Sequence, residues 1–376
     1  MNIGPLSLLV LQPTSFCNIN CSYCYLTHRQ IKNAMSDEVL AWALRRAFSS
    51  GLIADELDIL WHAGEPLIVG AEFYRKASRK IADLNINSAR VSQCIQTNGT
   101  LIDAEWCEVF KSFDFKVGVS LDGPERINDA HRQTRTGKGT FRATMRGINA
   151  LRAAGVEFSI LAVLTRESLR HIDDVFDFFE AEGIHTVAFN LEEIEGANTA
   201  WSFGIHDDPV KLYREFARRA FNRHSRGTLA IREISAIERR LGRCPTTVVG
   251  PSKPLQFVTV DIEGGFSTYC PELHGVKYLD GTRHVFGNVL SDDFLDVIAN
   301  PQFLHLYDEV MEGVAKCARS CDRFAICGSH RVGNKFFENG TFSSSETLHC
   351  RTRIKAVAEV IESNRPRDAN AALATR

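Results

Sequence analysis

Residues 17–25 read Cys-Asn-Ile-Asn-Cys-Ser-Tyr-Cys-Tyr, and Cys17, Cys21 and Cys24 in this stretch follow the spacing C-x3-C-x2-C. Three thiolates this close can hold three irons of a [4Fe–4S] cluster, whose full set of ligands is usually four. The iron without a protein ligand keeps an open position, so it is a reaction site rather than a relay for electrons. A structural zinc ion needs four ligands, and no further Cys or His follows before His28. The stretch therefore predicts a catalytic iron–sulfur site.

The cysteine stretch lies between a predicted strand and a predicted helix, and this arrangement recurs along the first half of the chain. Short apolar strands alternate with segments of helical spacing, which predicts parallel βα units rather than hairpins. The predicted strands cover residues 6–12, 57–61, 90–97, 116–121, 157–164 and 186–191, and the predicted helices cover 37–51, 72–84, 105–113, 140–154 and 168–182. We expect an α/β fold in which six strands form a partial (β/α)6 TIM-like barrel.

Polar or glycine-rich loops follow five of these strands. They are the cysteine loop itself, His-Ala-Gly-Glu-Pro at 62–66, Gln-Thr-Asn-Gly at 96–99, Ser-Leu-Asp-Gly-Pro at 120–124 and Asn-Leu-Glu-Glu-Ile-Glu-Gly at 190–196. The carboxyl ends of parallel strands meet at one edge, and barrel enzymes carry their chemistry there. We therefore expect all five loops to line one pocket.

The three cysteines with Tyr23, the loop 63–66 and the segments 96–99 and 120–124 resemble the radical S-adenosylmethionine (SAM) superfamily, in the branch with a SPASM-type C-terminal extension. The resemblance covers about residues 6–355. It implies that SAM binds the open iron of the first cluster and that an injected electron releases a 5′-deoxyadenosyl radical. It also implies an enzyme that modifies ribosomally made peptides.

Five further segments resemble a narrower group, the maturases of glycine-rich-repeat peptides. They are residues 4–7, 12–15, 61–67, 189–196 and 334–342. This group forms cyclophanes by joining an aromatic ring carbon to a side-chain carbon of a nearby residue, and the resemblance implies the same activity here. Two alternatives stay open. One is another radical SAM peptide modification, such as thioether crosslinking, epimerisation or decarboxylation, and the other is a non-catalytic zinc-binding scaffold.

The strand-end loops supply the residues that we expect to bind the cofactor. Gly64 lets the backbone come close to a ligand, and Glu65 can accept hydrogen bonds from the SAM amino group. Asp122 can bind ribose hydroxyls or cap the turn that follows it. Arg132 can pair with the SAM carboxylate, although spacing does not separate it from two nearby cations, Arg135 and Lys138. With Ala63 in place of the family's usual glycine, the set is Tyr23, Ala63, Gly64, Glu65, Pro66, Asn98, Ser120, Arg132 and Leu164.

Four cysteines late in the chain form a second group. Cys317, Cys321 and Cys327 are spaced C-x3-C-x5-C, and Cys350 follows them. A structural zinc ion would suit four thiolates. The family pattern instead implies an auxiliary [4Fe–4S] cluster with every iron ligated, which suits electron transfer. The family commonly separates the first pair by two residues, whereas three separate it here.

Cys244 and Cys270 are further candidate ligands, for a second auxiliary cluster. Cys270 fits the family's Gly-x4-Cys element. The family draws another ligand from four residues after the position of Cys327, but that position is Arg331 here, and arginine does not ligate iron. His330 beside it can. The sequence leaves the existence of this cluster open.

Joining a carbon radical to an aromatic ring requires the loss of one proton and one electron. The auxiliary cluster would take the electron, and a carboxylate would take the proton. The candidates at strand ends are Asp122, Glu192, Glu193 and Glu195. Alternation along the sixth strand places Glu193 and Glu195 on one face and Glu192 on the other.

Composition is ordinary apart from the cysteines. The chain has 376 residues, 44% of them hydrophobic and 24% charged, with a formal net charge of -2. This balance gives no strong attraction to nucleic acid or to a membrane surface, and no apolar stretch is long enough to span a bilayer. No secretory signal is visible, so the 11 cysteines indicate metal binding in a reducing cytoplasm rather than disulfides. Cys94 and Cys107 are expected to be buried as small apolar residues.

We expect four segments along the chain. They are a radical SAM partial barrel at 1–205, a helical bridge at 206–243, a SPASM-type domain at 244–355, and a helix end with a frayed tail at 356–376. The bridge is rich in arginine, which predicts a solvated helix face, with a docking surface for an acidic leader as the alternative. Two short runs within 257–269 predict a β-hairpin. The expected partners are a ribosomally made precursor peptide and a one-electron donor such as flavodoxin or ferredoxin.

Overall fold

One sheet forms the centre of the computed structural model, which describes residues 1–86, 88–242, 253–278 and 280–364. Its strands are β1 (Leu8–Leu11), β2 (Glu56–Trp61), β3 (Arg90–Thr97), β4 (Lys116–Ser120), β5 (Phe158–Leu164), β6 (Thr186–Leu191), β7 (Ala230–Ile231), β8 (Phe257–Val260), β9 (Gly265–Thr268) and β10 (Gly287–Asn288). Their order across the sheet is β10-β9-β8-β1-β2-β3-β4-β5-β6-β7.

The strands from β8 through β1 to β7 pair in parallel, and β9 and β10 pair antiparallel at one edge. Parallel pairs such as Leu9 opposite Ile59 bring buried apolar residues of neighbouring strands to the same face. The six predicted strands are confirmed, and so is their parallel order. The loops predicted to carry the chemistry therefore leave the sheet at the same edge.

Helices cover the sheet. They are α1 (Asp37–Ser49), α2 (Ala71–Leu84), α3 (Ala104–Ser112), α4 (Glu125–His131), α5 (Phe141–Ala154), α6 (Arg166–Arg170), α7 (Ile172–Ala181), α8 (Pro209–Ser225), α9 (Arg232–Leu241), α10 (Pro301–Ser320), α11 (Phe324–Cys327), α12 (Val332–Asn339) and α13 (Val357–Ser363). A π-helical segment, Cys350–Ala356, precedes α13, and 3-10 turns cover Pro66–Val69, Pro271–Leu273 and Phe294–Ala299. No helix in the described ranges is both long and apolar enough to cross a membrane.

α1 illustrates how the sequence sets a helix. Ser36 caps it by accepting a hydrogen bond from the Val39 N–H, and acidic Asp37 and Glu38 lie at the positive end of the helix dipole. Its buried residues recur at helical spacing and are Val39, Leu40, Ala43, Leu44, Ala47 and Phe48. This face packs into the core and against α2.

Three local features differ from the sequence expectation. The helix predicted at 168–182 is two helices, α6 and α7, because the backbone leaves the helical region at His171. The bridge, expected to be helical throughout, contains β7, which pairs with β6 and adds a strand to the barrel sheet. α4 is not indicated by the sequence pattern, since its 7 residues are too few to show a clear apolar period.

Two arginines of α8 form ion pairs with α7. Arg219 pairs with Asp173, and Arg223 pairs with Asp177 and Glu180. The carboxylates of α7 already neutralise the two arginines that an acidic leader peptide would need to bind. This part of the arginine-rich bridge is therefore a contact between two helices rather than an open docking surface.

The region with the late cysteines is joined to the barrel through the sheet itself. The predicted hairpin is confirmed as β8 and β9, and β8 pairs in parallel with β1, with Val258 opposite Leu9. The sheet therefore continues from the barrel into the C-terminal region. The predicted segment boundaries stay predictions. Cys244 lies outside the described residues, as does the chain beyond residue 364.

Candidate active site

The cysteine loop follows β1 and has little regular structure of its own, so other loops hold it. The Asn20 N–H donates to the Gln133 carbonyl oxygen at 2.6 Å. The Arg135 guanidinium donates to the carbonyl oxygens of Cys17, at 3.1 Å, and of Arg29, at 2.5 Å. Arg135 therefore clamps the backbone of the cysteine loop.

The loop after β2 packs so closely against the cysteine loop that position 64 has no room for a side chain. The φ of Gly64 is 57°, and a Cβ built on it would lie 2.4 Å from the Phe16 carbonyl oxygen. The Glu65 N–H donates to the same oxygen at 2.8 Å. Ala63 also has a positive φ, 81°, which is strained for a residue with a side chain. The close approach shown by the structure at Gly64 is thus to the backbone of the cysteine loop.

Glu65 has a fully buried carboxyl group that ties the loop after β2 to the loop after β3. Its Oε1 accepts hydrogen bonds from the Leu67 N–H at 3.1 Å and the Thr97 hydroxyl at 2.7 Å, and its Oε2 accepts from the Asn98 N–H at 2.7 Å. Burial raises the pKa of Glu65 to about 7, although these hydrogen bonds favour the ionised form. The Asn98 amide in turn lies 3.9 Å from the Cys17 sulfur. Glu65 therefore braces the cysteine loop, and its contact with SAM stays a prediction.

Asp122 is the second buried carboxylate beside the cysteine loop. Its Oδ2 accepts from the Tyr23 hydroxyl at 2.5 Å. Its Oδ1 accepts from the Arg132 guanidinium at 3.0 Å and from the Val163 N–H at 2.9 Å. Asp122 is 1% exposed and Arg132 is 6% exposed. The side chain of Asp122 thus links the cysteine loop to β5, rather than capping the turn that follows it.

Arg132 also offers a donor that the protein does not use. Its guanidinium lies over the Tyr23 ring, 5.5 Å from the centroid, and its Nε is buried without a hydrogen-bond partner. Because an unpaired buried donor is costly, an anionic group such as the SAM carboxylate fits here. The other predicted cofactor residues lie at the same edge of the sheet. Ser120 accepts a hydrogen bond from Gln96, Leu164 is buried at the end of β5, and Pro66 begins a 3-10 turn.

The thiols of the cysteine loop match the charge of an iron–sulfur cluster. Burial, together with neighbouring negative charge, raises the pKa of the Cys17 thiol to about 12 and that of the Cys21 thiol to about 11. Their thiolate forms therefore need the positive charge that bound iron would supply. In the part of the chain that the structure describes, no three His, Cys, Asp or Glu side chains are grouped so as to hold a single metal ion. Thiolates are the ligands that such a cluster binds, and the assignment of Cys17, Cys21 and Cys24 to it stays a prediction from their spacing.

Two of the three glutamates after β6 are engaged by the protein. Glu192 accepts hydrogen bonds from the N–H and the hydroxyl of Ser202. Glu193 accepts from the Asn334 amide at 2.8 Å and from His349 at 3.0 Å. Burial opposes its ionisation, but the hydrogen bonds from His349 and Asn334 and nearby positive charge lower the pKa of Glu193 to about 2. Both residues therefore act as structural links.

Glu195 differs from the other candidate bases. Burial and the charges of Glu193 and Glu272 raise its pKa to about 9, and within the described ranges no side chain is hydrogen-bonded to its carboxyl group. The next residue, Gly196, packs against the cysteine loop, since a Cβ there would lie 2.3 Å from the Tyr25 carbonyl oxygen. This contact fixes Glu195 beside the cysteine loop, and of the four candidate bases it is the one that lines the large open space next to this loop.

That open space is a cavity of about 780 Å³, which we call the mouth cavity. Its walls include Tyr25 and His28 of the cysteine loop, Glu195 after β6, and Glu272 and Phe337 of the C-terminal region. The loops after β1, β2 and β6 contribute to its wall, as predicted. The loops after β3 and β4 do not, because they bind the cysteine loop instead.

The late cysteines Cys317, Cys321, Cys327 and Cys350 line one small cavity, which we call the late-cysteine cavity. They come from α10, its C-terminal end, α11 and the start of the π-helical segment. The Cys317 thiol donates to the Ser345 carbonyl oxygen at 3.0 Å. Four thiols that face one cavity fit the auxiliary cluster predicted from the sequence.

The surroundings of Cys270 leave the second auxiliary cluster as open as the sequence does, because Cys244, its other candidate ligand, lies outside the described residues. Among the residues that the structure describes, Cys270 is the one cysteine that lines a cavity of about 250 Å³, and Arg331 lines the same cavity. His330 Nδ1 lies 2.7 Å from the Cys327 carbonyl oxygen, which binds its ring to the backbone. Of the candidate ligands among the described residues, Cys270 and His330 line this cavity, and a second auxiliary cluster there stays a prediction.

Some residues that shape the site are not predicted from the sequence. Arg135 holds the cysteine loop, but its long-range contact leaves no mark in sequence spacing. The Tyr25 hydroxyl lies 2.9 Å from His62 Nε2 in the wall of the mouth cavity, and its position directly after Cys24 is the signal that indicates it. Cys107 is buried as expected, whereas Cys94 is only partly buried.

Comparison with known proteins agrees with this geometry. The sequence signature of the Radical SAM superfamily matches residues 11–179. The uncharacterized protein sll1766 of Synechocystis sp. is 40% identical over 372 residues, which cover 96% of this chain and 92% of that protein. A cysteine-type anaerobic sulfatase-maturating enzyme of Clostridium novyi is 28% identical over 364 residues, which cover 92% of this chain and 93% of that enzyme.

A solved structure shares the fold along nearly the whole chain. It is native anSMEcpe with bound AdoMet and the Kp18Cys peptide, which superposes with a TM-score of 0.77 at 23% sequence identity. The superposition covers 95% of this chain and 98% of that chain. The α/β fold with its parallel sheet is therefore shared with that structure.

Replacing each group of cysteines should remove one cluster. Alanine at Cys17, Cys21 and Cys24 should lower the iron content from about eight to about four per chain, and alanine at the four late cysteines should do the same. Anaerobic iron and sulfide analysis of the reconstituted protein measures both losses. The control Cys107→Ala removes a buried thiol away from either group and should keep all the iron. Zinc in place of iron would contradict the assignment.

Glu65→Gln should destabilise the protein by about 1–3 kcal/mol, because an amide NH2 cannot accept from the buried N–H that it would face. Chemical unfolding under anaerobic conditions measures the change in free energy. The matched control is Glu105→Gln, since Glu105 is exposed and pairs with Arg75 at the surface, so its loss should cost less than about 1 kcal/mol. Equal stability of the two variants would contradict the bracing role of Glu65.

Proposed function

Because this chain belongs to the radical SAM superfamily, we propose that it crosslinks a ribosomally made precursor peptide by joining a side-chain carbon to an aromatic ring carbon, which forms a cyclophane. Membership makes the chain an enzyme of radical chemistry that uses a [4Fe–4S] cluster and SAM, related to maturases that act on peptide substrates. The nature of the crosslink is the step that we add.

One observation carries the proposal. Five segments resemble the glycine-rich-repeat peptide maturases, and residues from four of them meet in the wall of the mouth cavity. These wall residues include Gln12, Ala63, Glu195 and Phe337. The segments are far apart in the sequence and come from both the barrel and the C-terminal region. Their convergence on one cavity supports a shared role, which is contact with the substrate.

The cysteine loop would hold the first cluster, and Arg132 would face the SAM carboxylate. When bound, the cluster and SAM supply a 5′-deoxyadenosyl radical that removes a hydrogen atom from a substrate carbon. The protein's own residues prepare this site. Glu65 and Asp122 fix the cysteine loop. The buried Nε of Arg132 has no hydrogen-bond partner in the protein and can donate to an anion. A one-electron donor such as flavodoxin or ferredoxin, in a reducing cytoplasm, would complete the system.

The mouth cavity suits a peptide with an aromatic residue. Its volume of about 780 Å³ lies in the range of pockets that enclose a ligand. Ile31 and Ile194 are 46% exposed and form its apolar rim with Phe337. Lys277 and Arg283 line the same cavity and offer donors to peptide carbonyl or carboxylate oxygens. Exposed apolar residues at a cavity rim are typical of a binding surface.

Glu195 is the proton acceptor that we propose for restoring the aromatic ring. Burial raises its pKa to about 9, helped by Glu193, Glu272 and Glu338 and opposed by Arg331. A raised pKa gives a carboxylate high affinity for a proton. The electron lost in the same step would pass to a cluster held by the late cysteines.

A second candidate function is the maturation of a sulfatase. The sulfatase-maturating relative, which matches almost the full length of this chain, favours it. Co-expression with a sulfatase distinguishes the two functions, because only a sulfatase maturase would change the mass and activity of that protein. We place crosslinking first because four of the resembling segments meet in the mouth cavity.

Co-expression with a small peptide encoded next to this enzyme should give a product lighter by two hydrogen atoms. One crosslink replaces two carbon–hydrogen bonds with one carbon–carbon bond, so the mass loss follows from the chemistry. Tandem mass spectrometry should show the two joined residues as a unit that does not fragment internally. An unchanged mass would indicate epimerisation, and a larger loss would indicate decarboxylation. Either result would contradict the cyclophane.

Glu195→Gln should abolish the crosslinked product while 5′-deoxyadenosine still forms, because the amide cannot accept the proton. In the unaltered enzyme the product yield should rise as pH increases towards 9, since Glu195 has to ionise before it can accept a proton. Glu263→Gln is the matched control, because Glu263 lines the same cavity from an exposed turn. Liquid chromatography with mass spectrometry follows both products. Normal crosslinking by the Glu195 variant would exclude it as the acceptor.

A further inference from the structure

The late-cysteine cavity contains a buried cation. Lys335 on α12 is 5% exposed and lines this cavity together with the four thiols. Its Nζ donates a hydrogen bond to the Ser329 hydroxyl at 2.7 Å. Lysine is rarely buried to this extent unless an opposite charge accompanies it. The neutral hydroxyl of Ser329 does not supply that charge.

No acidic residue in the described ranges accounts for the burial of Lys335. Two neighbouring lysines have carboxylate partners: Lys316 pairs with Glu312 at 2.8 Å, and Lys355 pairs with Glu346 at 2.7 Å. The ion pairs of the described residues, defined by a separation of 4.0 Å or less, include none for Lys335. Among the described residues, the four thiols of the late-cysteine cavity are the groups that could supply a counter-charge, once they lose their protons to bound iron.

α10 is built to admit the Lys335 side chain. Gly313 lies one helical turn before Cys317, and a Cβ on it would lie 2.7 Å from the Lys335 Nζ. The same Cβ would lie 2.4 Å from the Phe342 carbonyl oxygen. Only glycine leaves enough space here for the ammonium group to pass the helix. The position of the cation thus depends on two elements of the fold, α10 and α12.

We propose that the Lys335 ammonium is the built-in counter-charge of the auxiliary cluster and raises its reduction potential. This inference rests on the proposed function in one respect, that the late cysteines hold a cluster. Four thiolates around a [4Fe–4S] core carry a net negative charge, and one added electron increases it. A cation fixed in a cavity of low dielectric constant stabilises the reduced form more than the oxidised form. The cluster therefore accepts an electron from the substrate more readily.

The experiment measures the reduction potential of the auxiliary cluster by anaerobic redox titration, followed by electron paramagnetic resonance. Every variant carries alanine at the three cysteines of the cysteine loop, so that the first cluster gives no signal. Lys335→Met removes the charge at similar side-chain length, and Lys335→Arg keeps it. Lys355→Met is the matched control, because Lys355 lies in the same region but is paired with Glu346 near the surface.

Lys335→Met should lower the equilibrium constant for reduction by about tenfold or more, which is about 59 mV for a one-electron couple. Lys335→Arg should stay close to the parent protein, because it retains the positive charge. Lys355→Met should also leave the potential nearly unchanged, since its charge is already balanced. This order separates the effect of a buried charge from the effect of any lysine near the cluster.

Each other outcome also decides the proposal. An unchanged potential in Lys335→Met would overturn it. If the methionine variant binds no iron while the arginine variant does, the charge is needed for assembly, which supports the counter-charge role. Loss of iron from both variants would show that the shape of the side chain matters rather than its charge, and would overturn the proposal. A parent protein without iron at the late cysteines, seen by iron analysis alone, would refute the auxiliary cluster and the role of Lys335 with it.

Discussion

Two buried carboxyl groups hold the cysteine loop against the sheet, and the geometry of the site depends on them. Glu65 accepts from three donors on the loops after β2 and β3, and Asp122 accepts from Tyr23, Arg132 and β5. A hydrogen bond to a charged group contributes about 1.5–3 kcal/mol, and removal of one partner leaves a buried charge unbalanced. The cysteine loop has little secondary structure of its own, so its thiols are held in place by these contacts.

The sequence predicts the framework of this site but not its internal bonds. The alternation of apolar strands and helices places Glu65, Asn98 and Asp122 at one edge, because parallel strands end together. Their partners depend on which loops come into contact in three dimensions. The bond between Asp122 and Arg132 therefore could not be separated from a bond between Arg132 and SAM by spacing alone. β7 is missed for a similar reason, since two residues that complete a sheet edge show no period of their own.

The two groups of cysteines differ in the charged residues that surround them. The first has three thiols, with the buried carboxyl groups of Asp122 and Glu65 close by and Arg132 as the buried cation. This arrangement leaves an unused Nε for an incoming anion. The late-cysteine cavity has four thiols and a buried lysine, so a cluster bound there would need no outside ligand. If the first site binds SAM and the second accepts an electron, as we propose, the two sites together suit a reaction with separate radical and electron steps.

Glu193 connects these two sites. It accepts hydrogen bonds from Asn334 and His349, which directly precede Lys335 and Cys350 in the sequence. The end of β6 is therefore fixed to the cation and to one thiol of the late-cysteine cavity. Two residues further along, Glu195 faces the mouth cavity from the same loop. One short segment thus fixes the proposed proton acceptor relative to the proposed electron acceptor. The proposed loss of a proton and of an electron from one substrate would then involve groups that this segment links directly, although they lie far apart in the sequence.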